Sequence, residues 1–228
     1  MQYKFSYVLR VPTARKTYFN LGSAVHQVIE NLTRQELEGI PPTKETALAM
    51  LEQFWSSDAY ASKKKEREDK DRAEQMIDTY LAWQLQNENE VIGVEMKFAF
   101  DLNGRIVKGF IDRVERSPEG HYIVIDFKTG YQSETKHSIK ENIQMNVYCL
   151  AILEKFGPLP RKASLLYVKH EKMVDYFLDN EQLEKQKMRL KRMIDAVLLE
   201  QFPGSPAYQT CRFCDYEALC EEKEIRGD

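Results

Sequence analysis

Two aspartates and a lysine near the middle of the chain have the types and spacing needed for metal-dependent phosphodiester chemistry. Asp126 and Lys128 are two residues apart in a strand-like run, so their side chains share one strand face. A turn at residues 117–120 would place Asp112, in the preceding apolar run, nearly opposite Asp126. Two adjacent carboxylates need a neutralising cation, and oxygen ligands favour Mg²⁺ or Mn²⁺. The lysine can stabilise the phosphate or help to activate water.

A third acid extends this pattern. Residues 91–100 form another strand-like run, and Asn103-Gly104 is a favoured hairpin turn that joins it to the run containing Asp112. This pairing predicts Glu95 within about one residue of Asp112, so that three acids line up across three antiparallel strands. Taken alone, Asp-x-Lys is more typical of a solvated strand face, and Glu95 is equally typical of a rim carboxylate.

Three further candidates lie on predicted helices. His26 belongs to an amphipathic helix that opens near Asn20, in which Gly22 lets the backbone approach a neighbouring element. Gln144 and Tyr148 are four residues apart on a helix predicted over residues 141–156, so they share a face. Each of the three is, by itself, more typical of ordinary packing. A neutral imidazole beside the acids would favour manganese.

The order of these residues resembles the RecB-like branch of the PD-(D/E)xK nuclease superfamily over about residues 1–220. The matching signatures are Gly22-x-x-x-His26, Glu95, Gly109-x-x-Asp112, Asp126-x-Lys128 and Gln144-x-x-x-Tyr148. The resemblance implies that His26, Asp112, Asp126 and the Phe127 carbonyl bind metal, and that Lys128 is the catalytic lysine. It assigns Gln144 and Tyr148 to the DNA backbone and to the positioning of that lysine. Whether Glu95 contacts metal or only water stays open.

The end of the chain carries a second candidate site. Cys211, Cys214 and Cys220 form a compact C-x2-C-x5-C cluster, which in a reducing compartment indicates metal ligation rather than disulfides. Zinc and iron-sulfur centres commonly need a fourth ligand. Cys149 lies on an apolar helix and is predicted to be a buried free thiol, so the set is one ligand short.

The resemblance also bears on this cysteine cluster. Related nucleases hold a [4Fe-4S] cluster with three C-terminal cysteines and one cysteine far upstream, and the chain contains no such upstream residue. We therefore expect either a longer native protein, with this chain as the nuclease domain of a helicase-type polypeptide, or a variant that has lost the cluster. Any cluster on this chain would be incomplete or labile.

Composition and pattern predict an α/β protein with a restriction-endonuclease-like core. We expect one domain over residues 1–228: a helical cap at 1–90, a mixed central sheet flanked by helices at 91–178, and a C-terminal helix with the cysteine-rich segment at 179–228. The chain is 43% apolar, and its net charge of −3 neither supports nor excludes DNA binding. The mixed-charge run at 63–72 is typical of the solvated start of a helix, with phosphate contact by Lys63 to Lys65 as the alternative.

The sequence predicts a Mg²⁺- or Mn²⁺-dependent DNA nuclease. The resemblance alone favours an exonuclease that acts with a helicase domain or subunit in DNA repair or recombination. The absence of a signal peptide or an apolar span predicts a cytoplasmic protein with no membrane association. Two alternatives stay open: a non-catalytic DNA-binding or scaffolding module of nuclease fold, and a zinc-stabilised interaction domain built on the three C-terminal cysteines.

Overall fold

The computed structural model describes residues 1–13, 17–131, 134–204, 211 and 214–222. In that part, the main elements are, in chain order, α1 (Thr17–Leu37), α2 (Lys44–Phe54), α3 (Lys63–Gln84), β1 (Glu90–Asp101), β2 (Ile106–Arg116), β3 (Tyr122–Lys128), α4 (Ile143–Phe156), β4 (Lys162–Tyr167), β5 (Lys172–Tyr176) and α5 (Asn180–Leu198). The chain divides into two compact units, Lys16–Lys187 and Met1–Arg15 with Met188–Asp228. The dividing point falls within α5.

The five strands form a mixed sheet in the order β1-β2-β3-β4-β5. The pair β3–β4 is parallel and the other pairs are antiparallel, and α4 lies between β3 and β4 in the chain. Both predicted hairpins are present. Asn103 and Gly104 have the positive φ angles that a type I′ turn requires, and Gly120 N donates to Ser117 O at 2.8 Å in the second turn. The expected sheet-and-helix architecture is confirmed.

Alternation along β3 separates the core from the candidate site. Ile123, Ile125 and Phe127 belong to the apolar core with residues of α1, α2 and α3. The Phe127 ring meets Tyr80 edge-on, with ring centres 5.5 Å apart. Asp126 and Lys128 point the other way, toward α4. The sheet therefore has helices on both faces, and burial of Phe127 fixes the strand that carries the acid and the lysine.

A buried charged cluster fastens β2 to the helical layer. Arg113 is completely buried, and its guanidinium pairs with Glu36 of α1 at 2.8 Å and with Glu115 at 2.5 Å. Tyr80 accepts a further hydrogen bond from it at 3.3 Å, and Trp83 places its ring 5.2 Å away. Because Arg113 is next to Asp112 in the chain, this cluster fixes the backbone at the acid.

The helix boundaries follow from side-chain caps. Thr43, Ser62 and Asn142 accept hydrogen bonds from the third residue on, so α2, α3 and α4 begin directly after them. Helix α4 thus starts at Ile143 rather than at residue 141 as predicted. It ends at Gly157, whose φ of 97° suits a glycine C-cap. Helix α5 ends at Leu198.

Several charged side chains at the start of α3 form ion pairs within the protein. Lys65 lies 3.3 Å from the buried carboxylate of Asp69, which also pairs with Arg72. Lys70 pairs with Glu52 of α2 at 2.7 Å. Of the three lysines considered for phosphate contact, Lys65 is thus paired within α3, and phosphate contact by the run stays an alternative.

The unit that contains both chain ends is organised around Tyr216. Its ring stacks on Phe5 with centres 5.3 Å apart, and its hydroxyl accepts a hydrogen bond from Ser6 at 3.1 Å and donates to the Val11 carbonyl at 3.3 Å. The segment between Cys214 and Cys220 therefore packs against the N-terminal residues. No helix in the described part of the chain is long and apolar enough to cross a membrane.

Candidate active site

The strand registers place the three predicted acids in one row across the sheet. In β1 and β2, Val94 pairs with Arg113 and Met96 with Ile111, so Glu95 and Asp112 lie between the same two rungs. In β2 and β3 the regular pairs end at Arg113 and Ile125, and the next step of that register brings Asp112 to Asp126. The geometry expected from the two hairpin turns is present.

The strand backbone departs from regular geometry at two of these acids. Glu95 has a φ of 43°, in the left-handed region that residues other than glycine rarely adopt. Asp112 Oδ2 accepts a hydrogen bond from the backbone N–H of Phe127 at 3.0 Å. A side chain thus replaces a ladder partner where β2 and β3 separate, and the Asp112 carboxylate is held in a fixed position.

A chain of hydrogen bonds positions the lysine. Lys128 Nζ lies 2.7 Å from Asp126 Oδ2 and donates to Gln144 Oε1 at 2.8 Å. Gln144 Nε2 in turn donates to the Tyr148 hydroxyl at 2.8 Å. Since Gln144 and Tyr148 are one turn apart on α4, the helix holds the ammonium group beside the acid, and the amide orientation is fixed by both neighbours.

His26 reaches the site because α1 approaches the end of β3 closely. Its Nδ1 atom lies 4.0 Å from Asp112 Oδ2. One turn earlier, a Cβ on Gly22 would lie 3.0 Å from Thr129 Oγ1, so a larger residue there would require the Thr129 side chain to shift. The spacing Gly22-x-x-x-His26 therefore has a physical basis: Gly22 permits the close approach of α1 to the end of β3, and His26, one turn later, lies beside Asp112.

A second close approach supports Tyr148 from β1 and β2. Phe98 meets the Tyr148 ring edge-on at 6.0 Å, and its own ring lies over Gly109 on the paired strand. A Cβ on Gly109 would come 2.7 Å from that ring. Sequence reasoning missed Phe98, although a glycine directly opposite an aromatic residue in a hairpin is a signal for such packing.

Burial shifts the titration of the acids. Burial, and next the charge of Asp126, raises the pKa of Asp112 to about 7, while the Phe127 N–H acts in the opposite direction. Burial also raises the pKa of Asp126 despite the nearby Lys128 charge. For Glu95, burial and then Glu30 raise the pKa. The neighbouring residues therefore do not fully compensate the free-energy cost of charging these three acids.

The pKa values of His26 and Tyr148, the two titratable site residues on helices, shift in directions that suit the same site. Burial lowers the pKa of His26, which keeps its imidazole neutral and able to act as a ligand. Burial, followed by the charges of Asp126 and Asp112, raises the pKa of Tyr148, so its hydroxyl stays protonated beside Gln144.

The donor atoms are of the types that bind a divalent cation, although they do not surround a single point. Among the described residues, no group of three or more His, Cys, Asp or Glu side chains is arranged to hold a metal ion. Asp126 Oδ2 is buried and lies 2.7 Å from the Lys128 ammonium, yet burial still raises the pKa of Asp126. Asp112 beside it also has a raised pKa, and a divalent cation would favour the charged form of both carboxylates.

The cysteines lie apart from this row of acids in the sequence. Cys149 is a buried free thiol, as predicted, and burial raises its pKa to about 12. Cys211, Cys214 and Cys220 are half-buried and free, and Cys214 N donates to the Cys211 carbonyl at 3.0 Å. Residues 212 and 213 lie outside the described residues. The cluster stays a prediction.

Comparison with known proteins gives three findings. A model of the family described as PD-(D/E)XK nuclease superfamily matches residues 1–221. The Gene 69 protein of Mycobacterium phage D29 is 23% identical over 251 residues, which covers 96% of this chain and 91% of that protein. A solved structure from Eubacterium rectale, named "Putative exonuclease", superposes with a TM-score of 0.52 at 14% identity, over 99% of this chain and 81% of that one. The last likeness concerns the fold alone.

Proposed function

Because the chain belongs to the PD-(D/E)XK nuclease superfamily, we propose that it is a Mg²⁺- or Mn²⁺-dependent deoxyribonuclease that hydrolyses DNA phosphodiester bonds. One observation carries the proposal: Asp112, Asp126 and Lys128 meet at the separating ends of two strands, and Gln144 holds the lysine there. A merely structural ion pair would not need a second, buried carboxylate beside it.

The proposed metal ligands are Asp112, Asp126, the Phe127 carbonyl and His26. A bound divalent cation would supply Lewis acidity toward the phosphate and lower the pKa of the attacking water. The Phe127 N–H keeps Asp112 oriented, and the lowered pKa of His26 favours the neutral imidazole, the form that can bind metal. Glu95 is the third acid of the row, placed to accept a hydrogen bond or to complete the ligand set.

Lys128 has a separate role in this mechanism. Its ammonium group would approach a phosphate oxygen and stabilise the charge that develops during in-line attack. Gln144 and Tyr148 restrict the ammonium to one position, so that little side-chain freedom is lost in the reaction. Gln144 could also donate to the DNA backbone.

We propose exonuclease action over endonuclease action. The resemblance to RecB-like proteins supports this preference, and so does the name of the Eubacterium rectale protein, which shares the fold. On the same resemblance we propose that the chain works with a helicase domain or subunit in repair or recombination. A cluster at Cys211, Cys214 and Cys220 is proposed on the resemblance only, and iron and zinc analysis of the purified protein tests it.

Cleavage of end-labelled single- and double-stranded DNA tests the function. The chain, Asp126→Ala and Lys128→Ala are compared in Mg²⁺, Mn²⁺ and EDTA, with Asp71→Ala on the exposed face of α3 as a matched control. We expect metal-dependent cutting by the chain and the control, and none by the two site variants. A ladder of products that shortens from the end indicates an exonuclease. DNA binding without cutting by any protein would instead support a scaffolding module.

A further inference from the structure

An exposed aromatic ring lies at the edge of the candidate active site. Tyr131 is three residues beyond Lys128, and 76% of its surface is exposed. Three residues of chain span at most about 10 Å, so the Cα atoms of Tyr131 and Lys128 are separated by no more than the length of about three stacked nucleotides. The catalytic arrangement described above does not use this ring.

Two basic residues from the turn between β4 and β5 contact the ring. Lys169 Nζ lies 3.5 Å from the centre of the Tyr131 ring, and the His170 ring lies 5.5 Å away at a tilt of 33°. Both residues lie in the turn that follows β4, and Val168 at the start of this turn donates a backbone hydrogen bond to Lys128 O of β3 at 3.1 Å. The group is therefore attached to the strand that bears the lysine.

The chemistry of this group suits an unpaired nucleotide. An exposed tyrosine ring offers a surface on which any base can stack, and a lysine beside it can contact a phosphate. Among the described residues, no carboxylate forms an ion pair with Lys169, so its charge is available to an anion. A base within a duplex already stacks on both neighbours and cannot lie on the ring without leaving the helix.

We propose that Tyr131 is a stacking platform for an unpaired base of the DNA strand beside the scissile phosphate, with Lys169 contacting an adjacent phosphate. This proposal rests on the proposed nuclease function and specifies it: the site would favour single-stranded over double-stranded substrate. It also assigns a DNA contact to a residue outside the signatures of the family resemblance.

Equilibrium binding in EDTA, where no cutting is expected, tests the platform. Fluorescence anisotropy of labelled single-stranded and blunt duplex DNA is measured for the chain, Tyr131→Ala, Tyr131→Phe and Lys169→Gln. Phe177→Ala serves as the matched control, because Phe177 is 60% exposed but follows the end of β5 that pairs with the start of β4, at the opposite end of the sheet.

Loss of one stacked base weakens binding by about 5- to 150-fold. We expect that loss for Tyr131→Ala on single strands, little change on duplex, and near-normal binding for Tyr131→Phe and Phe177→Ala. Lys169→Gln should weaken binding and reduce its salt dependence. Unchanged single-strand binding by Tyr131→Ala, or equal losses on both substrates, would overturn the platform while leaving a cutting enzyme intact. Failure of the unmodified chain to bind or cut any DNA would overturn the proposed function and the platform with it.

Discussion

Replacing Asp112 with asparagine should stabilise the metal-free protein while abolishing cleavage. Asparagine has nearly the same shape and can still accept the hydrogen bond from Phe127 N–H, but it removes the buried charge. The pKa of Asp112 is raised from 3.8 to about 7 in the folded protein. A shift of about three pKa units corresponds to about 4 kcal/mol of folding free energy.

The sign follows from proton linkage. An acid whose pKa is higher in the folded state binds its proton more tightly there, so stability is greatest below the unfolded pKa and is lost as the pH rises toward about 7. Of the total change in the free energy of unfolding, about 3 kcal/mol occurs between about pH 5 and about pH 8.5. Asp112→Asn lacks this contribution and should gain relative stability over that range.

Urea unfolding in EDTA at these two pH values measures the effect. The free energy of unfolding of Asp112→Asn minus that of the unmodified chain should be larger at the higher pH by about 3 kcal/mol. Asp71→Asn, an exposed aspartate on α3, should show no such difference. Adding Mn²⁺ at the higher pH should stabilise the unmodified chain and not Asp112→Asn. A difference that does not change with pH would refute the assignment of a destabilising buried carboxylate.

Three further predictions concern the supports of the site. Gly109→Ala should destabilise the protein by about 1–3 kcal/mol, because the new Cβ meets the Phe98 ring. Adding Phe98→Leu to Gly109→Ala should recover part of that loss in thermal unfolding. Arg113→Met should cost about 3–5 kcal/mol in urea unfolding, because it removes the cation that pairs with the buried Glu115 and the half-buried Glu36; a loss below 1 kcal/mol would contradict this. Gln144→Leu should lower kcat with little change in thermal stability, whereas an unchanged kcat would argue against the lysine-holding role.

The sheet and the row of acids could be predicted because local turn chemistry determines register. Asn103-Gly104 and the turn that ends at Gly120 fix how the strands pair, and side-chain alternation then places Asp126 and Lys128 on one face. These are short-range properties of the sequence. The side-chain cap at Asn142 is equally local, and it starts α4 at Ile143, two residues after the predicted residue 141.

Other features depend on contacts between distant residues and were not predictable from the sequence. The left-handed backbone at Glu95 and the hydrogen bond from Phe127 N to Asp112 arise where strands separate, which no local pattern marks. The buried pairing of Arg113 with Glu36 joins residues 77 positions apart. The Tyr131 group is formed from the ends of β3 and β4, which are brought together only by their parallel pairing.

The central claim is tested most directly by a manganese titration in which metal binding and DNA cleavage are both measured on the same samples. Binding of Mn²⁺ to the unmodified chain and to Asp126→Asn is measured calorimetrically, and cutting of end-labelled DNA is measured at each concentration. The account predicts that cutting rises over the same concentration range in which Mn²⁺ binds, and that Asp126→Asn loses both. Cutting that persists in excess EDTA, or in Asp126→Asn, would contradict a metal-dependent nuclease site at these acids.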